Sequence, residues 1–407
     1  MRNFSKLKFL ELDIHAGSII YIPAYWWYSV KYKKQSAALW FKYCTYMNTI
    51  AILPDILIGV LQRQNTKTKT IQEYNLNYTV TTIDGVTVED KTTSGAFLDF
   101  GKTNQYKASQ AARVSELFSQ GLILPGDKFL ITDAWNFIVT PIKYMSELLD
   151  IPVEIHGIWH AGAYDPTDIL GLKMSKPWPH LQEQAWFMAC DYNYFGTNFH
   201  KDMFLENLQI PEEYHHKAIR SGQPHTPIVE QLEPYYNNER KNAGTERRPV
   251  TILLWPHRVN EDKQPEIIKD MKGGLANKVL MTQNMNLTKE KYYKVLGETT
   301  IVFSSSLHEN LGISMMEGCL AGAIPVVPDR ASYTEMYLRC FKYATNWTTS
   351  FQEYKKHRKN LCDFITNLES RYDEIKENEL KEQVEILKRD YLSADIMINN
   401  ILDLDKN

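Results

Sequence analysis

The sequence predicts an α/β protein of two parallel-sheet units with a small β-rich segment ahead of them, and three stretches carry that prediction. Residues 300–337, TIVFSSSLHENLGISMMEGCLAGAIPVVPDRASYTEMY, read as a buried strand at 301–304 and a polar turn. A helix follows, with Leu311, Met315, Cys319 and Gly322 at three- and four-residue spacing, and then a second apolar strand at 324–327. Strand, helix, strand is the repeat of a parallel sheet. From Ala111 the same alternation runs through ARVSELFSQGLI (helix), DKFLITDAW (strand), IKYMSELLD (helix, closed by Ile151-Pro152) and VEIHGIWHAG (strand). LQEQAWFMACDYNYFGTN then gives a helix and a strand running into HKDMFLENL. The third stretch, VTILLWPHRVNEDKQPEII, is a strand, polar loop and helix; NKVLMTQ supplies the next strand and KEKYYKVLGE a short helix.

The remaining segments set the boundaries. Residues 73–109 are polar and Thr-rich, with a hairpin signal at Ile83-Asp84-Gly85-Val86, and read as linker and edge strands. The first sheet unit spans 110–235, its end blurred by an irregular stretch from Pro211 to about Arg248 that carries Gly222, Pro224, Pro227 and Pro234. The second unit spans 236–385, and a charged helical segment, 386–407, closes the chain.

At 407 residues there is room for two domains with sizeable cores. A net charge of -3 does not suggest a generic nucleic-acid binder, although Arg240, Lys241, Arg247 and Arg248 form a local basic patch. The five cysteines (Cys44, Cys190, Cys319, Cys340, Cys362) lack metal-ligand spacing and read as reduced core thiols of a cytosol-like compartment. No apolar run is long enough to span a bilayer, and Glu11, Asp13 and His15 interrupt the first apolar stretch, so neither an anchor nor a signal peptide is expected. Aromatic residues make up 12% of the chain, which suits sugar- or base-stacking surfaces as well as core.

Chemistry concentrates beyond the carboxyl ends of the predicted strands, where parallel sheets bind ligands. Glu309 and Glu317 form E-x7-E. On one continuous helix they would lie roughly 80° apart and border one cleft at different depths. Alone the pattern is weak: a helix-start acid at Glu309 and a solvated acid at Glu317 account for the spacing better than a binding site does. Gly312 leaves the backbone open where a phosphate would approach. The wider wording, HENLGISMMEGCLAGAIPVVPDRASYTEM, resembles the donor-binding helix of retaining GT-B glycosyltransferases of the E-x7-E type. It is most similar to the subgroup that includes the tRNA-queuosine mannosyltransferases and relatives in large DNA viruses and phages. The resemblance covers roughly residues 110–345 and implies two Rossmann-like domains facing a cleft.

It also implies roles. Glu309 would meet donor-sugar hydroxyls, the N–H groups of Asn310, Leu311 and Gly312 would lie near sugar and phosphate, and Glu317 would accept from the ribose. Arg258 and Lys263, in PHRVNEDKQPE, match the G-R-x-x-x-x-K loop that holds the donor diphosphate, with His257 in place of the Gly. Fixed cations there would stabilise the charge that builds on the leaving group. His160, after Trp159 at a strand end, matches an aromatic-x-His-Glu-Asn stretch, with Ala161 and Gly162 replacing Glu-Asn. With Asp133 it would line the acceptor side. His156 reads as a core histidine, His200 and Asp202 as capping and packing residues, and Glu335 equally as pocket support or cap. The implied activity is transfer of a hexosyl or pentosyl group from a nucleotide-diphosphate sugar, without metal or other cofactor, on the same face as the leaving phosphate, which itself serves as base. The implied acceptor is a modified DNA or tRNA base, with a glycan or protein acceptor next and a non-catalytic nucleotide-sugar-binding module as a rival. The implied setting is the cytoplasm, of the host for a viral protein.

Residues 1–72, with LELDIHAGSIIYIPAYWWYSVKY, resemble the closing strands of a cupin or JmjC-like domain. Ser18 stands where Asp is usual and Tyr28 where the last metal-ligand His falls, and the upstream H-x-D pair is missing. Without three convergent ligands a 2-oxoglutarate oxygenase has nothing to hold its iron, and the segment reads as a remnant.

Overall fold

Two parallel sheets organise the computed structural model, which describes residues 82–86, 99–236, 252–272, 278–285 and 287–402. All of these lie in one compact unit. The expectations for residues 1–72, and for the basic patch at 240–248, fall outside the described residues.

The first sheet has strand order β1-β2-β3-β4, every pair parallel. Helix α1 (Phe100–Ser119) leads into β1 (Lys128–Ile131), α2 (Val139–Leu148) and β2 (Glu154–Ile158). Then come α3 (Ile169–Lys173), α4 (Trp178–Ala189), β3 (Tyr192–Phe195), α5 (Asn198–Asn207) and β4 (Ala218–Arg220). Its core is aromatic: Trp159, Tyr164, Phe187, Phe195 and Phe204 are all 0% exposed. Helix α1 begins eleven residues before the predicted start at Ala111, because the Asp99 carboxylate accepts from Lys102 N at 2.9 Å and caps it. The region read as linker and edge strands therefore ends in helix, and residues 82–86 contain no strand. They lie along α1 instead, with Val86 N donating to Ser109 Oγ at 2.7 Å.

Helix α6 (Thr226–Tyr236) follows. The sequence marked this stretch as irregular, yet β4 completes the first sheet and Leu232 of α6 is buried in the second core. The border between the two cores thus falls ahead of α6, not at 235. Turn residues flank both elements, and tertiary packing, not propensity, holds them.

The second sheet runs β6-β5-β7-β8-β9, again all parallel. In chain order it comprises β5 (Ile252–Trp255), α7 (Pro265–Met271), β6 (Lys278–Met281), α8 (Lys289–Glu298) and β7 (Ile301–Phe303). It continues with α9 (Ile313–Leu320), β8 (Ile324–Pro328), α10 (Tyr333–Met336) and β9 (Lys342–Tyr343). Strands β7 and β8 are buried along their whole length, as their unbroken apolar runs require. Gly318 lets α9 lie on β7, since a Cβ there would stand 2.4 Å from Val302 Cγ1. Helices α11 (Phe351–Ser370), α12 (Tyr372–Glu377) and α13 (Glu379–Ile386) complete this lobe. The last helix, α14 (Asp395–Leu402), returns to the first lobe, where Met397, Ile398 and Ile401 pack with Ile158 and Tyr194.

Strand β5 leads to β6 on one side of it and β7 sits on the other. The order therefore reverses between β5 and β7, and the crevice beyond their carboxyl ends is where a sheet of this kind receives ligands.

Candidate active site at the strand switch point

The loop after β5 and the loop after β7 meet at this crevice. Lys263 ends a short 3-10 turn whose cap is the Asn260 side chain, and it is 7% exposed. Its Nζ donates to Ser306 Oγ at 2.8 Å, His308 O at 2.8 Å and Glu309 Oε2 at 2.9 Å, and Asp262 Oδ2 lies at 2.9 Å. Burial pulls the ammonium pKa down, but the Glu309 and Asp262 carboxylates outweigh it and raise it above the ordinary lysine value. For Glu309, burial pushes upward and the Lys263 charge reverses it, leaving the carboxyl below its usual range. Lys263 and Glu309 are thus an ion pair at neutral pH.

Gly312 sits between Glu309 and α9 with φ +73°, and a Cβ there would meet Tyr333 Cε1 at 2.8 Å and Glu309 Cγ at 3.1 Å. The backbone leaves the helical path at that residue, so Glu309 stands in the loop and the single-helix relation expected of E-x7-E does not apply. Glu317 is on α9 in a different neighbourhood. Tyr292 Oη of α8 donates to its Oε2 at 3.0 Å, and burial lifts the carboxyl to about 7, with the Tyr292 bond and the Lys289 charge pulling the other way.

Arg258 is exposed on the same loop as Lys263, and its charge reaches Asp168, the N-cap of α3 in the first lobe. His257 is buried, its ring edge-on to Trp255 at 5.4 Å, and its Nε2 has no hydrogen-bond partner among the described residues. Burial and the Lys263 charge hold its pKa down to about 3, so the ring is neutral.

His160 follows β2, and both ring nitrogens are engaged. Thr132 O can only accept, so Nε2 donates to it at 2.7 Å, and Nδ1 accepts from Gln223 Nε2 at 3.0 Å. What His160 turns toward the second lobe is its carbonyl, 3.4 Å from Asn310 Nδ2. Asp133 is paired with Lys107 of α1 at 2.8 Å, with Trp135 N donating to its other oxygen at 3.2 Å. His156 is a satisfied core histidine between Tyr194 Oη (2.9 Å) and Glu154 Oε1 (2.7 Å). His200 is buried against Tyr164 Oη at 2.6 Å, and the cap of α5 is Thr197. Cys340 is exposed rather than a core thiol.

Sequence reasoning missed the contacts between lobes. Asp165, in the loop after β2, lies 2.7 Å from His308 Nε2, and Thr197 Oγ1 donates to Asn310 O at 2.8 Å. Glu335 of α10 accepts from Phe199 N at 2.7 Å and Asn198 Nδ2 at 3.1 Å, so its cap belongs to a helix of the other lobe. An acid near its own helix start gave no sign of this. Among the described residues no group of three or more His, Cys, Asp or Glu side chains is placed to hold a metal ion, and no helix is long and apolar enough to cross a membrane.

Two facing parallel sheets, with the site at the switch point of the second and a final helix returning to the first, define the GT-B fold. Within that class, the catalytic domain of starch synthase IV from Arabidopsis thaliana, solved with ADP and acarbose, superposes with a TM-score of 0.50 at 12% identity, covering 77% of this chain and 78% of that one. An alpha,alpha-trehalose 6-phosphate synthase from Burkholderia multivorans gives a TM-score of 0.49 at 13% identity, covering 76% and 78%. In sequence, the chain is 24% identical over 204 residues to a tRNA-queuosine alpha-mannosyltransferase from Drosophila melanogaster, a match that takes in 39% of this chain and 53% of that protein. The chain thus spans about half the length of the curated relative it matches. No protein-family model matches it.

Proposed function

We propose that this chain is a retaining glycosyltransferase that moves a hexosyl or pentosyl group from a nucleotide-diphosphate sugar to an acceptor without a metal ion. The observation that carries the reading is the Lys263–Glu309 ion pair at 2.9 Å beyond the ends of β5 and β7, because it joins a cation-bearing loop to an acid-bearing loop at a strand switch point. Similarity to a mannosyltransferase and to the fold of a starch synthase supports it.

In the proposed site the diphosphate lies against Arg258 and Lys263. A phosphate oxygen reaching Lys263 exchanges with one of its present acceptors, Ser306 Oγ, His308 O or Glu309. The sugar C1–O bond to phosphate breaks as the acceptor bonds to C1 on the same face, and the acceptor proton passes to the departing phosphate oxygen. The cations stabilise the charge left on the diphosphate. Glu309 holds the sugar hydroxyls, and Glu317, steadied by Tyr292, accepts from the ribose. His160 acts through its carbonyl and its hold on Gln223, not through a free ring nitrogen. Asp133, neutralised by Lys107, shapes the acceptor wall.

The relative's name supports a tRNA base as acceptor, and a DNA base follows the same chemistry. Nucleotide release from UDP- and GDP-sugars is expected from the wild type and lost in Glu309→Ala and Arg258→Ala; equal release by all three would remove the proposal. Binding of tRNA and of DNA titrated against salt separates a nucleic-acid acceptor, with its steep salt slope, from a glycan or protein.

A further inference from the structure

We infer that Asp165 is a positioning residue for the donor loop 308–311, acting through His308 and Asn310, so that this loop of the second lobe takes its working shape only when the first lobe is docked against it. The inference rests on the proposed donor site and adds to it a residue that E-x7-E does not contain.

The geometry is a closed ring of contacts on either side of Glu309. Asp165 Oδ2 lies 2.7 Å from His308 Nε2, and that nitrogen is also 3.1 Å from Asn310 Oδ1. Asn310 Nδ2 lies 3.4 Å from Asp165 Oδ2 and 3.4 Å from His160 O, while Asn310 O accepts from Thr197 Oγ1 at 2.8 Å. The side chains immediately before and after Glu309 are therefore held by the opposite lobe.

Within its own lobe the segment keeps the Lys263 contacts and a bond from Ser332 N to Glu309 O at 3.3 Å. Asp165 is itself fixed: it is 1% exposed, and its Oδ1 accepts from Thr167 N at 2.9 Å and Thr167 Oγ1 at 2.8 Å. The next residue in the segment is also fitted to the first lobe, since a Cβ on Gly196 would come within 3.2 Å of Leu311 Cδ1. Phe199 packs its ring 5.6 Å from that of His308.

Charge supports the same assignment. Burial pulls the His308 pKa down, but the Asp165 carboxylate overcomes this and raises it above the ordinary 6.5; Lys263 opposes that rise. The Asp165 carboxyl sits at about 2: burial pushes it upward and the bond and charge of His308 reverse this. The groups facing His308 are Asp165 and His200 from the first lobe and Lys263 and Glu309 from the second. The pair is complete between the ordinary carboxylate value of 3.8 and pH 6.5; it is lost as pH rises through the raised His308 value, and in acid as pH falls through about 2.

The test is an exchange of partners. Asp165→Asn and His308→Gln, the latter a milder change at a side chain 15% exposed, are compared with the swapped double variant Asp165→His/His308→Asp. Amide exchange in 308–313 is expected to rise about 10-fold in each single variant, and kcat with nucleotide sugar to fall about 10–100-fold, the range for a charged hydrogen bond. Affinity for the nucleoside diphosphate alone should fall less than kcat does, because Lys263, Arg258 and Glu317 keep their side chains while the sugar-holding Glu309 loses its fixed loop. The swapped pair should recover at least part of both losses, and Asp165→Asn should flatten the alkaline fall of the wild-type pH profile. Unchanged exchange in 308–313, or a swap no better than the single variants, would overturn the inference. A wild type that neither binds nor turns over nucleotide sugars would defeat the proposed function, and the amide-exchange comparison would still decide the interlobe coupling on its own.

Discussion

Replacing Glu317 with Gln should make the protein more stable above neutral pH while weakening its hold on nucleotide. Glu317 is partly buried on α9, and its carboxyl is lifted from the ordinary 4.5 to about 7, chiefly by burial. Between those values the native state keeps a proton that the unfolded chain has released. Ionisation therefore opposes folding, by an amount that grows from pH 4.5 and levels off above 7. At ~1.4 kcal/mol per pH unit the ceiling is about 3 kcal/mol. Partial solvent access reduces this to about 1–2 kcal/mol. The Gln side chain keeps an oxygen for the Tyr292 hydroxyl, which lies 3.0 Å from Glu317, and carries no charge. Guanidinium unfolding should give Glu317→Gln and wild type the same stability near pH 4.5, and the variant a gain of about 1–2 kcal/mol at pH 8. No gain at pH 8, or the same gain at both pH values, would refute the reasoning. Calorimetry with UDP and GDP on the same samples reads the accompanying loss of affinity.

Three further outcomes follow from the same geometry. Lys263→Ala strands the Glu309 and Asp262 carboxylates and should cost about 3 kcal/mol by denaturant titration, with donor turnover falling at least ~100-fold. Gly312→Ala forces a Cβ onto a backbone at φ +73° and against Tyr333, and should cost about 1–3 kcal/mol in the same titration. Lys107→Met leaves Asp133 unpaired, with side chains 7% and 13% exposed, and should lower thermal stability; adding Asp133→Asn should restore most of it in a double-mutant cycle.

The sheets were legible wherever strand and helix differ sharply in periodicity. The runs IVF and IPVVP and the helix between them can be read directly, because buried parallel strands are apolar throughout; the β6-β5-β7-β8-β9 order comes only from the fold. Three-residue β4 and two-residue β9 are too short to carry a period, and α6 hides behind Pro227 and Pro234. In the site, residue types and loops could be read, but pairings could not. Nothing local tells that Asp133 is neutralised from α1, or that the ring of His160 is spent on Thr132 and Gln223 while its carbonyl faces Asn310. Those partners lie 26 to 150 residues away in the chain. Only the fold brings them into register.

Because α14 returns to the first sheet, the polypeptide passes between lobes twice, near 222–225 and near 390–394, and the two passages run side by side. Gln223 N bonds to Tyr391 O at 2.8 Å and His225 N to Leu392 O at 3.1 Å, with Gly222 so close that a Cβ would stand 2.8 Å from Asp390 O. Such a laced double strand behaves like the spine of a book. Bonded to each other, the two crossings couple any displacement at 222–225 to 390–392, and Arg220 over the Tyr391 ring at 4.5 Å braces the same place.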